Sequence, residues 1–406
     1  MTVETTGTLV IGAGQAGIAM SEHLARHAVP HLVLERSRIA ERWRSERWDS
    51  LVANGPAWHD RLPGLTFPDV APDAYAPRAS MVDYFEAYAA KIAAPIRCGT
   101  AVTALHRTPA GFHAETSAGS IEATNVVVAT GPFQRPLIPS IVPPEHGIPQ
   151  IHSSHYRNPS QLPPGGERVV GAGASGVQIA DELLRAGRPV HLAVGPHNRP
   201  PRRYRGRDFV WWLGVLGKWS ATACEPGREH ITIAVSGAHG GHTVDFHGMA
   251  RRGMVLLGQA QRFHDGTLHI APDLARNIAA GDADYLSVLD EADAYATREG
   301  LDLPQDPEAR TPPLPAPDTE PVLALHLADA GITSIVWATG YGFDFGWLPP
   351  GALDDAGRPR HTRGVSVVPG LYHLGLPWLS CRASAFIWGV WHDAAYLADR
   401  IAAPPA

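Results

Sequence analysis

Apolar residues in this chain come in short unbroken runs, each followed by a glycine-rich turn and then by helical spacing. Thr8 to Ile11 is such a run, Gly12 to Gly17 is the turn, and Ile18 to His27 places apolar residues three and four apart. Pro30 interrupts before a second run, His31 to Glu35. The pattern predicts a buried parallel strand, a helix and another strand. It returns as Arg168–Val170, Gly171–Gly176, Val177–Ala186, a break at Gly187, and Val190–Val194. Two such units predict an α/β chain with two domains, each built on a parallel sheet.

Two further strands end alike, NVVVATGPF at 125–133 and SIVWATGYGF at 334–343, where Ala-Thr-Gly marks a backbone passing close to something. DYLSVLDEADAYATREG at 284–300 reads as an amphipathic helix, and SAFIWGVWHDAAYLADRI as another, with Ser380 or Ser384 as its N-cap. LPQDPEARTPPLPAPDTEP at 303–321 reads as an exposed loop. The second Ala-Thr-Gly strand and the last helix are expected to return to the first domain. That inserts the second domain, 163–330, between 1–162 and 331–406.

Composition narrows the function classes. The chain has 406 residues and a net charge of -6, against the sustained basic surface that nucleic-acid binding requires. Cys98, Cys224 and Cys381 are scattered, so no disulfide framework or zinc site is expected, and a reducing cytoplasm fits. MTVETTGTLVIG lacks a basic n-region, which predicts no signal peptide. The most apolar segment, FVWWLGVLGKW at 209–219, is shorter than the roughly 18 residues of a membrane span. It is a candidate for core or for the lining of a substrate entrance.

The two turns carry the chemistry. Each is Gly-x-Gly-x-x-Gly between a strand and a helix, the context of a Rossmann-like dinucleotide site. Gly12 and Gly171 permit the tight turn, Gly14 and Gly173 the approach of a pyrophosphate, and Gly17 and Gly176 the packing of helix on strand. Ser175 lies in the second turn. The strands beyond the two turns end differently. The first unit ends in Glu35, a carboxylate suited to a ribose 2′-OH. The second reaches Val194–Gly195, without an acid, and then Arg199, Arg202, Arg203, Arg205 and Arg207. Guanidinium groups without an acid suit a 2′-phosphate. The expectation is FAD at the first turn and NADPH at the second.

Both turns, an intervening HSSHYRNP and the late WATGY together resemble the class B flavin-dependent monooxygenases, closest to the flavin-containing and YUCCA-like branches. The likeness covers nearly the whole chain. The family's Phe-x-Gly-x-x-x-His-x-x-x-Tyr signature is matched in its second half by His152 and Tyr156, while His146 and Ile148 stand at the Phe and Gly positions. The resemblance implies that His152 is a hinge coupling the two sites. It also implies that Asn54, in WRSERWDSLVANGPAWHDRLPG, lies at the reactive edge of the flavin, with Trp43 and Arg44 beside it. Thr130, Thr339 and Gly340 of the Ala-Thr-Gly strands, and Ser380 before the last helix, complete the expected cofactor contacts. That helix would point its N-terminus at the flavin pyrimidine edge.

The implied activity is monooxygenation of a small organic substrate by O2, through a C4a-(hydro)peroxyflavin formed after hydride transfer from NADPH. N- or S-oxygenation, attack on a keto acid and Baeyer–Villiger chemistry all remain open, as does a homodimer. A disulfide reductase needs a Cys pair that the sequence lacks. An NADPH dehydrogenase or oxidase is the nearest rival, and a non-catalytic redox sensor the most distant.

Overall fold

The structure, a computed structural model, describes residues 4–223, 232–311 and 321–403. Cys224 and residues 312–320 of the proline-rich stretch lie outside them. The first apolar run forms β1 (Glu4–Ile11), which leads through the glycine turn into α1 (Gln15–Arg26) and β2 (His31–Leu34). After α2 (Glu41–Ser45) and α3 (Arg78–Lys91) come β3 (Ile96–Arg97) and a meander of β4 (Val102–Thr108), β5 (Gly111–Thr116) and β6 (Gly119–Val128). β6 lies parallel beside β1, giving the order β6-β1-β2-β3 within a nine-stranded sheet. A strand covered on both faces must be apolar throughout. Leu9 and Val10 of β1 and Val126 and Val127 of β6 are accordingly 0% exposed.

The second sheet is built from β7 (Gln150–His152), β8 (Gly166–Val170), β9 (Val190–Ala193), β10 (Val255–Leu257) and β11 (Ile332–Trp337). Its order is β10-β9-β8-β11-β7, and every pair is parallel. α4 (Ala174–Arg185) follows the second turn, and α5 (Phe209–Val215) and α6 (Leu274–Arg298) lie further along. The chain then returns to the first sheet through β12 (Leu371–His373), parallel to β6. α7 (Ile387–Ala402) packs on α1, with the Trp391 ring 4.3 Å from His23 and under Arg26.

Three expectations are corrected. The WATG strand, β11, belongs to the second sheet, where it pairs with β8 and β7, so that sheet begins before residue 163 and ends after 330. α6 starts at Leu274, ten residues before the amphipathic pattern is evident. It runs through Gly281, where a Cβ would stand 2.3 Å from the His197 ring packed against it. Neither Ser380 nor Ser384 caps α7: Ser384 Oγ accepts from the backbone N–H groups of Ser380 and Cys381, closing a 3₁₀ turn at Arg382–Ala385. The N-cap of α7 is Phe386.

The correction to β11 extends the internal repeat. In the first sheet Ile11 is in register with Val128, and the Ala129 N–H bonds the Ile11 carbonyl at 2.9 Å. In the second, Val170 is in register with Trp337, and the Ala338 N–H bonds the Val170 carbonyl, also at 2.9 Å. Each Ala-Thr-Gly therefore passes beneath the first glycine of its own turn. A Cβ on Gly12 would lie 2.6 Å from the Ala129 oxygen, and one on Gly171 would lie 2.5 Å from that of Ala338. Both glycines have positive φ, 109° and 115°, which also favours a residue without a Cβ.

Burial of histidine sets an acid limit. Desolvation holds His23 down to about 4 and His373 to about 3, against an ordinary value of 6.5. The folded-state values lie below the unfolded one, so this stability is fully present above about pH 6.5 and is lost as pH falls towards the folded values. Lowering the pH from about 7 to about 5 should cost about 2 kcal/mol through His23 alone. His23→Gln should flatten that part of the curve, read by denaturant unfolding at each pH.

Candidate functional site

Both glycine turns fit a dinucleotide. Gly17 and Gly176 bring helix onto strand so closely that a Cβ on either would stand 1.8 Å from the carbonyl of the first glycine. Around Gly14, by contrast, a Cβ would meet nothing within 4 Å. α1 and α4 each begin without a side-chain cap and without an acidic residue in the first turn. Their first amide N–H groups are thus open to an anion, the arrangement that receives a pyrophosphate. Glu35 spans the mouth of the first turn, accepting from the Ala13 N–H through Oε2 and from the Ser37 N–H through Oε1, both at 2.9 Å. Thr130 Oγ1 accepts from the Gln134 amide at 3.0 Å, and Thr339 Oγ1 donates to the Leu137 carbonyl, so each Ala-Thr-Gly is tied to 134–137.

Asn54 is held by residues of the second half. Its Oδ1 accepts from Gln178 Nε2 at 2.8 Å, and the same Gln178 nitrogen reaches the Val235 carbonyl at 2.7 Å. Gln178 belongs to α4, so the helix of the second turn holds the side chain of a residue from the first half. The Asn54 Nδ2 donates to no protein group among the described residues, leaving an amide N–H free for a ligand.

His152, expected as a hinge between the two sites, is held by hydrogen bonds at both ring nitrogens. It is 1% exposed, and its Nε2 donates to the Gly340 carbonyl at 2.9 Å. A carbonyl only accepts, so Nε2 carries the proton and Nδ1 accepts from the Ser154 N–H at 3.1 Å. Burial lowers its pKa, which matches a neutral ring. It pins the end of the second Ala-Thr-Gly.

The arginine loop is corrected most strongly. Arg199 is buried, donates to the Val244 carbonyl, pairs with Asp282 at 2.7 Å and lies over Tyr285. Arg202 is buried, binds both oxygens of Asp208, donates to the Asn54 carbonyl at 2.7 Å and lies between the Tyr75 and Phe209 rings. Arg205 pairs with Asp293. Only Arg203 and Arg207 are exposed, and they border a cavity with Pro56, Trp58 and Asp73. Through Arg202 this loop clamps the second half onto the Asn54 segment. At the end of β9, Gln259 places its amide nitrogen 3.0 Å from where a Cβ on Gly195 would be.

Among the other expected contacts, Trp43 packs against the cores of both halves, while Arg44 pairs with Glu86 on α3. The Ser380 hydroxyl donates to Asp393 inside α7. The Trp-rich segment divides: Trp212 is fully buried with its N–H on the Tyr204 carbonyl, whereas Trp211 and Trp219 line a cavity of about 660 Å³ shared with Trp58, His59 and Trp388. Gln178, Gln259 and the 58–60 segment were not singled out from sequence. Only Gln178 leaves a trace there, as a polar residue among the apolar positions of VQIADELL.

Comparisons agree with this arrangement. The family model described as pyridine nucleotide-disulphide oxidoreductase matches residues 9–207. An uncharacterized CzcO-like oxidoreductase of Geobacillus kaustophilus is 33% identical over 399 residues, 97% of each chain. The probable indole-3-pyruvate monooxygenase YUCCA1 of Arabidopsis thaliana is 33% identical over 46% of this chain and 47% of its own. The flavin-containing monooxygenase of Stenotrophomonas maltophilia superposes with a TM-score of 0.67 at 19% identity, covering 98% of both chains. Fold, turns and relatives thus define an oxidoreductase with two dinucleotide-type glycine turns. The chain belongs to the family of the CzcO-like oxidoreductases.

If Arg202 is a clamp, Arg202→Met leaves Asp208 buried without its cation. Unfolding should then be easier by about 3–5 kcal/mol, while the ratio of kcat/KM for NADPH to that for NADH stays within about twofold. A 2′-phosphate ligand would give the opposite result, a collapsed ratio with little change in stability.

Proposed function

We propose that the protein is an FAD- and NADPH-dependent monooxygenase that inserts one oxygen atom of O2 into a small organic substrate, the other leaving as water. The observation that carries this reading is Asn54: a neutral amide at the junction of the two halves, oxygen fixed by Gln178 and N–H free. FAD is assigned to the first turn, with Gly12, Gly14 and Gly17 admitting the pyrophosphate and Glu35 facing the ribose. NADPH is assigned to the second, through Gly171, Gly173, Ser175 and Gly176. The flavin would supply the hydride acceptor and the site of O2 activation. The chain's own residues do the rest. Asn54 donates at the reacting edge without a charge, His152 holds Gly340 in place, and the aromatic cavity, joined to the Asn54–Gly55 peptide through His59 and Asp60, keeps water away from the reaction.

The atoms nearest to where a Gly195 Cβ would be are those of the Gln259 side-chain amide rather than of a carboxylate, which supports NADPH over NADH. Gln259→Glu should lower kcat/KM for NADPH about tenfold more than for NADH, through charge repulsion. An unchanged ratio removes Gln259 from this role.

The disulfide-reductase plan, which the family model's description includes, calls for a pair of neighbouring thiols. No two cysteines of this sequence fall within a Cys-x-x-Cys, and Cys98 and Cys381 are free. Monooxygenation separates from an oxidase by its oxygen balance. With NADPH, ¹⁸O2 and a panel of thioethers, amines, ketones and keto acids, a monooxygenase puts one ¹⁸O into at least one product and releases less hydrogen peroxide than NADPH consumed. Stoichiometric peroxide with every compound, and no labelled product, would instead establish an oxidase.

A further inference from the structure

Five histidines, His23, His59, His191, His197 and His373, have a buried ring nitrogen with no partner among the described residues, whereas both nitrogens of His152 are bonded. Of the five, His59 lines the 660 Å³ cavity. Its Nδ1 lies 2.7 Å from Asp60 Oδ1, and because a carboxylate only accepts, Nδ1 carries the proton. Asp60 is itself fixed, its Oδ2 accepting from the Gly55 N–H at 2.9 Å, and a Cβ on Gly55 would stand 2.4 Å from that carboxylate. The ring is thus oriented through two successive hydrogen bonds. Yet its other nitrogen, Nε2, is buried and has no partner among the described residues, a costly arrangement unless something else uses it.

The surroundings of His59 show what could use it. The ring forms part of the wall of the 660 Å³ cavity, a volume within the range of small-molecule sites. It lies between the Trp219 and Trp388 rings, nearly parallel to both (24° and 25°), with Trp58 edge-on. Four tryptophans, Trp58, Trp211, Trp219 and Trp388, dominate the lining. Flat aromatic walls select flat aromatic guests. A cationic guest could also sit on tryptophan faces, but the charged side chain in this wall is the cation Arg61. Trp388, the outermost member of the stack, is 39% exposed.

We infer that this cavity receives a planar aromatic substrate, neutral or anionic, whose polar edge group bonds to His59 Nε2, with Asp60 as the positioning residue. The assignment rests on the monooxygenase reading of the neighbouring Asn54, to which Asp60 is joined through Gly55.

Calorimetric titration of the oxidised holoenzyme tests it with naphthalene, 2-naphthol, 2-naphthoate and cyclohexanol. Either 2-naphthol or 2-naphthoate should bind about tenfold tighter than naphthalene, and cyclohexanol about tenfold weaker than 2-naphthol. His59→Asn keeps a donor to Asp60 but has no atom at Nε2, and His59→Gln carries its amide close to the Nε2 position. The polar preference should vanish in the first and persist in part in the second, with flavin content confirming that each variant is folded. A purely structural His59–Asp60 bond predicts the reverse order. Equal binding of polar and plain naphthalenes, a preference that survives His59→Asn, or cyclohexanol binding as well as 2-naphthol would overturn the inference. Binding is read without oxygen transfer, so failure here is distinct from failure of the labelled-oxygen experiment.

Discussion

One carbonyl oxygen in each half dictates the geometry of its nucleotide turn. The strand ending in Ala-Thr-Gly lays the Ala129 oxygen under Gly12 and the Ala338 oxygen under Gly171, close enough that no Cβ fits. The turn must then bend with positive φ, which costs an ordinary residue about 1–3 kcal/mol. That bend brings the following helix down onto the strand at Gly17 and Gly176, aiming its first amides at one point. The register between strand and strand therefore fixes where an anion can bind. Glu35 and His152 work within the same frame, the first tying the turn to the loop after β2, the second holding the end of the Ala-Thr-Gly run.

Because each half closes its own turn, the halves need a separate device to face each other correctly. The loop from Arg199 to Arg207 supplies it. Burying a guanidinium is expensive unless it is paired and hydrogen-bonded, and Arg202 is both, with Asp208 as its counter-ion, the Asn54 carbonyl as its acceptor and aromatic rings on both faces. Tyr75 of the first half bonds the same Asp208. A network of this kind adds little net stability over an apolar contact, but it admits only one geometry. Geometry is what a site shared between two halves requires.

Much of the fold was legible because its signals are local. Unbroken apolar runs marked the central strands, glycine spacing marked the turns, and the two Ala-Thr-Gly strands were recognisable as a pair. Assigning WATG to the first sheet failed for a reason of range: which sheet a parallel strand joins depends on partners more than 160 residues away for β8 and β7 alike. The start of α6 was hidden because Gly281, normally a break, serves as a seat for His197. The arginine loop misled because charge composition reports neither burial nor partners. Arg199 and Arg202 read like phosphate ligands until Asp282 and Asp208 are brought to them by folding. In the same way nothing in WHD distinguishes His59 from any surface histidine.

The peptide joining Asn54 to Gly55 shows how these devices converge. Its carbonyl accepts from Arg202 at 2.7 Å, and its N–H donates to Asp60 at 2.9 Å. The peptide dipole thus lies between a cation at its negative end and an anion at its positive end, the orientation that both charges favour. The side chain of Asn54 is held independently by Gln178 from the opposite half. A residue fixed at its carbonyl, the following N–H and its own amide oxygen has little freedom left to lose when a ligand arrives. An amide donor pre-set in this way stabilises developing charge without reorganising. The same Asp60 that fixes this peptide orients His59, so one carboxylate sets both the expected reacting edge and the wall of the aromatic cavity. A shift in either is passed to the other through a single rigid link, the Asp60 carboxylate.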